Sequence, residues 1–127
     1  MGAKQEEHRR RWRDYRTVSG ARPVRDFLRA QPAAVQAAVA AELETVRREG
    51  TRAARHLRGE IYEVRISHDT NIYRILFAPL GRYSQILLSL DAFQKKTRRT
   101  PLAKIDVAER RLADWRRQGA ARAALKG

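Results

Sequence analysis

The spacing of apolar residues predicts two helices in the first half of the chain. Between Pro32 and Gly50, valine and leucine residues recur at intervals of four, four and three positions, which is the period of one helix face. Glycine is a common C-terminal stop, so this helix is expected to end at Gly50. Pro23 is suited to the first turn of a shorter helix that extends to Leu28.

The period changes from helical to extended in the middle of the chain. Three runs rich in β-branched and aromatic residues occupy about residues 60–67, 71–78 and 83–93, and the turn-like segments HDTN and APLGR separate them. These runs predict an antiparallel meander of three strands. Near the N-terminus, the segment RWRDYRTV alternates in the manner of one additional short strand.

A last helix is predicted after the meander. Thr100 and Pro101 suit the N-cap and the first helical position, and apolar residues follow at helical spacing. The predicted architecture is a single α+β domain with a core at about residues 12–116 and charged tails at 1–10 and 117–127. Its four-stranded, mainly antiparallel sheet carries two N-terminal helices and the C-terminal helix on one face, and the other face is free.

Strand alternation assigns two arginines to that free face. In the first two meander strands, bulky apolar side chains such as those of Val64 and Ile75 form the set that suits the core. Arg65 and Arg74 alternate with them and are therefore expected to share the free face. Glu63 falls in the same set as Arg65, and a strand arginine beside a glutamate commonly forms a solvated ion pair.

The third meander strand adds polar and aromatic groups to the same face. Ser89, Asp91 and Phe93 form one alternating set, and Leu88 and Leu90 form the other. The polar set is assigned to the free face, beside the two arginines. A face with guanidinium groups, a carboxylate and a phenyl ring is suited to holding a phosphate and stacking a base.

The charge balance indicates an anionic partner. The chain of 127 residues carries 28 lysine and arginine residues against 14 acidic residues, which gives a formal net charge of +14. Nucleic acid, an anionic membrane surface and an acidic protein all satisfy this charge, so position must distinguish them. The stretch AFQKKTRRTP places Lys95, Lys96, Arg98 and Arg99 after the third strand, although a basic run of this kind is often only a solvated loop.

The sequence gives little support for thiol chemistry, a metal site or a membrane segment. No cysteine is present, which excludes disulfides and thiolate metal sites. The histidines lack ligand spacing, and helix-surface pairing with neighbouring arginines explains Glu42, Glu44 and Glu49, so a metal-dependent nuclease is disfavoured. No signal-peptide core or membrane-spanning stretch is evident, and we expect a cytoplasmic location without membrane contact.

Four segments of the chain resemble the RelE/HigB toxins of bacterial type II toxin–antitoxin systems, in the phage-associated branch of the RelE/ParE superfamily. They are RPVRDFL, LRGEIYEVRI, IYRILF and ILLSLDAFQKKTRRTPLAKIDVAERRLADW, and the resemblance covers about residues 12–116. It implies a small RelE-like α+β fold with a four-stranded sheet, a cytoplasmic location, neutralisation by a cognate antitoxin and, often, ribosome-dependent cleavage of messenger RNA. It implies no cofactor.

The resemblance and the strand alternation select the same residues. The family's functional arginines match Arg65 and Arg74, and its basic pair matches Lys95 and Lys96. Asp91 stands where many relatives have a histidine. This departure argues against a histidine-dependent acid or base step, and Asp91 could instead orient either arginine or a ribose hydroxyl.

The expected function is that of a toxin which inhibits translation as a metal-independent, ribosome-dependent endoribonuclease, an mRNA interferase. The residues expected to be catalytic are Arg65, Arg74, Lys95 and Asp91. The residues expected to bind RNA are Lys96, Phe93, Arg98 and Arg99. The expected partners are mRNA, the ribosome and a helix-turn-helix antitoxin. Two alternatives stay open: a toxin of the same fold that inhibits DNA gyrase by binding, and a non-catalytic basic module that binds nucleic acid or the ribosome.

Overall fold

The computed structural model describes residues 10–126. The strands are β1 (Arg11–Asp14), β2 (Arg55–Arg58), β3 (Ile61–His68), β4 (Asn71–Leu80) and β5 (Ile86–Gln94). The helices are α1 (Pro23–Arg29), α2 (Ala33–Glu49) and α3 (Leu102–Lys126). The expected N-terminal tail lies outside the described residues apart from residue 10.

The two predicted N-terminal helices are confirmed. Val35, Val39 and Val46 lie on the buried face of α2, as their helical spacing predicts. Gly50 ends α2 with a φ of 75°, a conformation that side chains rarely adopt. A Cβ atom at Gly50 would lie 2.8 Å from the Arg10 guanidinium, so the site also lacks room for a side chain.

The sheet has five strands in the order β1-β5-β4-β3-β2, so the prediction of four strands is wrong by one. The meander β3-β4-β5 is antiparallel as expected, and β1 pairs with β5 in parallel, which makes the sheet mixed. The additional strand is β2, an edge strand with the sequence RHLR. Its single apolar residue gives too little alternation to predict a strand from the sequence.

Helices cover both faces of the sheet, so the expectation that all three pack on one face is wrong. On one face, Val39 of α2 shares a buried cluster with Ile75 and Phe77 of β4. On the other face, Leu76 of β4 shares a second cluster with Leu112 of α3. Both faces of β4 are apolar, and leaving one exposed would forfeit about 25 cal/mol for each Å² of apolar surface.

An irregularity in β5 changes which of its residues face α3. Leu76 pairs with Asp91 but the next residue, Phe77, pairs with Ser89, so Leu90 is an extra residue in the ladder. Ser89 therefore falls on the α1/α2 face, and Leu88 packs with Leu90 under α3. The assignment of Ser89 to the same face as Asp91 is thus wrong, because simple alternation does not anticipate a bulge.

Hydrogen bonds fix α3 to the chain segment that follows β1. The Tyr15 hydroxyl donates to Asp114 Oδ2 at 2.5 Å, and Gln118 Nε2 donates to the carbonyl oxygen of Arg16 at 2.8 Å. The helix continues to Lys126 through the segment expected to be a charged tail. Across residues 10–126, no helix combines the length and the apolar character that a membrane span requires.

The hydrogen bond from Tyr15 to Asp114 makes the free energy of unfolding depend on pH. The hydroxyl of Tyr15, followed by the amide of Gln118, holds the pKa of Asp114 below its ordinary value. A carboxylate with a lowered folded-state pKa stabilises the fold above its unfolded pKa, and this contribution is lost as the pH falls. Tyr15→Phe is therefore expected to lower the free energy of unfolding at pH 7, and the deficit should shrink below about pH 4.

Urea denaturation of both proteins at pH 7 and below about pH 4 measures how the loss of unfolding free energy in Tyr15→Phe changes with pH. Tyr83→Phe is the matched control, because Tyr83 is 55% exposed and its removal should change neither value. A deficit for Tyr15→Phe that stays constant between the two pH values would contradict the role assigned to Asp114.

Candidate functional site

Two arginines lie side by side on the sheet face under α3. Arg65 of β3 and Arg74 of β4 are directly paired across the two strands, so their side chains share that face as the alternation predicted. Glu63 precedes Arg65 by two residues and lies on the same face. The face is covered rather than free at this point, and the two arginines differ in their access to solvent.

Arg74 is fully buried. Its Nη1 donates to Thr100 Oγ1 at 3.2 Å and lies 3.8 Å from Glu63 Oε2. Within residues 10–126, its Nε and Nη2 atoms have no hydrogen-bond partner. Burial, followed by the nearby charge of Arg65, lowers the pKa of Arg74. This position does not fit the expected contact between Arg74 and a substrate phosphate, but it allows Arg74 to orient the groups above it.

Glu63 is the acceptor that connects these groups. Arg65 Nε donates to Glu63 Oε1 at 2.5 Å, and the Thr100 hydroxyl donates to Glu63 Oε2. Glu63 is 1% exposed, and each of its two carboxylate oxygens accepts a hydrogen bond. A buried carboxylate with these donors is a structural anchor for the arginine beside it.

Thr100 has a different role from the one its sequence position suggests. The helix begins at Leu102, and the carbonyl oxygen of Pro101 accepts the first helical hydrogen bonds. The Thr100 hydroxyl is engaged by Glu63 and Arg74 instead of a helix N–H group. The N-cap prediction is therefore wrong, because a buried ion pair competes for the same hydroxyl.

The basic stretch is held above the sheet by Arg65. Its Nη2 donates to the carbonyl oxygen of Arg98 at 2.5 Å, and its side chain is 28% exposed. This contact leaves the side chains of Arg98 and Arg99 exposed. Lys95 and Lys96 are also exposed at the end of β5, where the Lys95 N–H donates to the carbonyl oxygen of Ile72 at 3.1 Å.

A cavity of about 670 Å³, which we call the arginine cavity, lies between β2, the basic stretch and the start of α3. Its charged lining residues are Arg55, Arg65, Arg98 and Arg99. The remaining lining residues are His56, Leu57, Thr100, Leu102 and Ile105. Four guanidinium groups beside an aliphatic wall form a recess that suits an anion carrying an apolar or planar group.

Arg55 is a site residue that the sequence analysis missed. It pairs with Glu63 across β2 and β3, which places its side chain on the same face as Arg65. Because β2 was not predicted, the arginine had no assigned face. The only signal in the sequence was its position in a short basic segment before the meander.

Asp91 and Phe93 lie away from the arginine cavity, under α3. Asp91 accepts a hydrogen bond from Arg111 Nη1 at 3.2 Å, and its other oxygen lies 3.7 Å from Lys104 Nζ. Phe93 is 6% exposed and lies beneath the same lysine, which is 4.9 Å from the ring centroid. The expected roles of Asp91 in catalysis and of Phe93 in base stacking do not fit these positions, because α3 covers both side chains.

The two histidines within the described residues, His56 and His68, each lie beside a local partner. The His56 ring packs 5.0 Å from that of Tyr62, and its Nε2 is 2.8 Å from the Gly59 carbonyl oxygen. His68 lies 3.6 Å from Asp69, and His8 is outside the described residues. Among residues 10–126, no three His, Cys, Asp or Glu side chains are placed to hold a metal ion.

Comparison with known protein families identifies a match. The family described as phage-derived protein Gp49-like (DUF891) matches residues 26–113, which include β2, the meander and the arginine cavity. This family is part of the RelE/HigB-like toxin group. No curated protein matches the chain.

Breaking the buried Glu63–Arg74 pair is expected to be strongly destabilising, because it leaves a buried charge without its partner. Glu63→Gln removes the carboxylate charge that faces the buried guanidinium, so it should lower the free energy of unfolding by about 3 kcal/mol. Glu60→Gln is the matched control, because Glu60 forms an exposed ion pair with Arg116 at 2.7 Å. Its loss should cost under about 1 kcal/mol.

Urea denaturation followed by tryptophan fluorescence measures both changes. Equal losses for the two variants would contradict the structural role assigned to Glu63.

Proposed function

Since the chain belongs to the Gp49-like family of phage-derived proteins, within the RelE/HigB-like toxin group, we propose that it is a toxin that cleaves mRNA on the ribosome. The family is associated with the toxins of toxin–antitoxin systems and is related to toxin endoribonucleases. The observation that carries the proposal is the arginine cavity, where four guanidinium groups line one recess.

The arginine cavity suits a phosphodiester of single-stranded RNA. Arg55, Arg65 and Arg99 supply planar donors that pair with phosphate oxygens, and the aliphatic wall beside them can pack against a base or ribose. Leu102 on this wall is 66% exposed, so apolar surface is available to a nucleotide. This wall takes the role that the sequence analysis gave to Phe93.

The proposed reaction is an intramolecular phosphoryl transfer. The ribose 2′-hydroxyl oxygen attacks the adjacent phosphorus atom, and the bond from phosphorus to the 5′ oxygen breaks. The products are a 2′,3′-cyclic phosphate and a 5′-hydroxyl end. The 2′-hydroxyl loses one proton and the leaving oxygen gains one, so the reaction consumes neither water nor a cofactor.

The protein's contribution is to stabilise charge on the phosphoryl oxygens. Preorganised guanidinium groups in a partly dry recess do this without reorganising during the reaction. Arg65 is the residue best prepared for it, because Glu63 and the Arg98 carbonyl fix its orientation. Arg74 supports this arrangement from below as a positioning residue, and Lys95 and Lys96 bind neighbouring phosphates of the RNA.

The proton acceptor in this proposal is a ribosomal group or an ordered water. Asp91 is engaged by Arg111 and Lys104, away from the arginine cavity, and Glu63 is enclosed by its own donors. Neither carboxylate therefore faces the arginine cavity, and His56, which lines it, has its Nε2 atom engaged with the Gly59 carbonyl oxygen, so the proposal assigns the proton to the ribosome.

The family also suggests an antitoxin as the protein partner. We propose a helix-turn-helix antitoxin with an acidic segment that covers the arginine cavity. Such a segment would neutralise the four guanidinium groups and exclude RNA at the same time.

Exposed cavity arginines are expected to be needed for cleavage but not for folding. The variant Arg98→Ala, Arg99→Ala removes two exposed charges and keeps the backbone carbonyl that Arg65 contacts. Loss of one contact to the transition state should slow cleavage about 100-fold. The rate is measured on translating ribosomes, and new RNA 5′ ends are mapped in bacteria within minutes of induction.

The matched control is Arg48→Ala, Arg52→Ala, which removes two exposed charges near the end of α2, and it should cleave at the original rate. If the cavity variant also kept the original rate, the proposed site would be wrong. If the unmodified protein arrested growth without new RNA ends, DNA gyrase or another target would replace mRNA.

The chemistry of the ends distinguishes the proposed reaction from metal-dependent hydrolysis. Attack by the 2′-hydroxyl is expected to leave 5′-hydroxyl ends, which polynucleotide kinase labels without prior phosphatase treatment. Hydrolysis by a metal-bound water typically leaves 5′-phosphate ends, which require that treatment. The same RNA should remain intact when the ribosomes are omitted, and its rapid cleavage in their absence would overturn the proposed source of the proton acceptor.

A further inference from the structure

A second group of arginines lies at the opposite edge of the sheet from β2. Strand order places β1 at this edge. A cavity of about 620 Å³ is formed here by β1, the segment that follows it and the C-terminal half of α3. We use the name β1-edge cluster for Arg13, Arg16 and Arg122, which line this cavity, together with Arg11 beside them.

The β1-edge cluster carries uncompensated positive charge. Asp14 also lines the cavity, but Arg22 neutralises it through two hydrogen bonds of 2.6 Å each. Within residues 10–126, none of the four cluster arginines has a carboxylate partner within 4.0 Å, the distance of an ion pair. In contrast, Arg58 and Arg116 are each paired with acidic residues, at 2.5 and 2.7 Å.

The frame that presents these arginines is fixed rather than loose. Gln118 of α3 donates to the backbone carbonyl of Arg16, and Asp114 accepts from the Tyr15 hydroxyl. Arg11 and Arg13 lie two residues apart on β1, so their side chains leave the same face about 6.6 Å apart. This single separation is comparable with the distance between successive phosphates along a nucleic-acid strand.

We propose that the β1-edge cluster binds the phosphate backbone of RNA, as a contact surface separate from the arginine cavity. Four exposed guanidinium groups without carboxylate partners can contact several anionic groups at once, and a phosphate backbone supplies them at regular intervals. The two surfaces are separated by four strand-to-strand steps, or roughly 19 Å. One folded RNA can therefore contact both edges of the sheet.

Binding of RNA in the absence of ribosomes tests the cluster. The probe is a short fluorescein-labelled RNA duplex, and fluorescence anisotropy gives its Kd over a range of salt concentrations. The test variant is Arg13→Gln, Arg16→Gln, Arg122→Gln. It is expected to bind more weakly and to lower the slope of log K against log salt by about two to three, since each phosphate contact contributes about 0.9.

The matched control is Arg48→Gln, Arg52→Gln, Arg110→Gln, which removes the same charge from exposed positions on or near α2 and on α3. Its slope should change by less than one unit, because none of these arginines lines the cavity of the β1-edge cluster. Equal effects of the two triple variants would overturn the proposal by showing that only net charge matters. Tighter binding of a DNA duplex of the same sequence would overturn the assignment to RNA.

Two further measurements keep the test interpretable. Arg122→Glu, an exposed change on α3, should weaken RNA binding even if the triple variant fails to fold, and an unchanged Kd would overturn the proposal. A triple variant that binds RNA normally but loses the antitoxin would assign the cluster to protein binding and also overturn it. Because the readout is binding rather than cleavage, failure of the proposed endoribonuclease activity would not imitate failure of this site.

Discussion

The burial of Glu63 and Arg74 beneath α3 is the constraint on which the candidate site depends. Removing two charges from water costs several kcal/mol for each ion, and only close partners offset this cost. Glu63 offsets this cost by accepting hydrogen bonds from Arg65 and Thr100, and these hydrogen bonds bring the basic stretch against the sheet. The energetic need to satisfy a buried carboxylate therefore orders the residues that face solvent above it.

The arginines divide into two classes according to their partners. Some connect α3 to the sheet: Arg58 pairs with acidic residues of α3, Arg116 pairs with Glu60, and Arg111 pairs with Asp91. Arg55, Arg98 and Arg99 of the arginine cavity and the four arginines of the β1-edge cluster have no carboxylate partner within residues 10–126, whereas Arg65 of the same cavity is held by Glu63. The formal charge of +14 is thus unevenly distributed, because several paired arginines stabilise the fold while arginines without a carboxylate partner at both edges of the sheet can contact a ligand.

Strand alternation correctly placed Arg65 and Arg74 side by side, because the register of β3 and β4 is regular there. Strand alternation could not show that α3 would bury Arg74. The helical period identifies the apolar face of α3 but not the face of the sheet on which α3 packs. Strand alternation also failed at Ser89, where a bulge reverses the alternation, and at Arg55, whose polar edge strand lacks the apolar pattern of a strand. Local pattern therefore predicts neighbours within regular pairing, and tertiary packing decides which of them solvent can reach.

The parallel pairing of β1 with β5 also sets the order in which the molecule can assemble. Ser89 of β5 donates to the carbonyl of Arg13 across a sequence separation of 76 residues, and contacts of this kind form slowly. During synthesis, β1 emerges first and stays without its sheet partner until β5 has left the exit tunnel. The arginines of β1 therefore emerge on the nascent chain before the folded β1-edge cluster exists, so chain topology determines when a binding partner can first recognise this cluster.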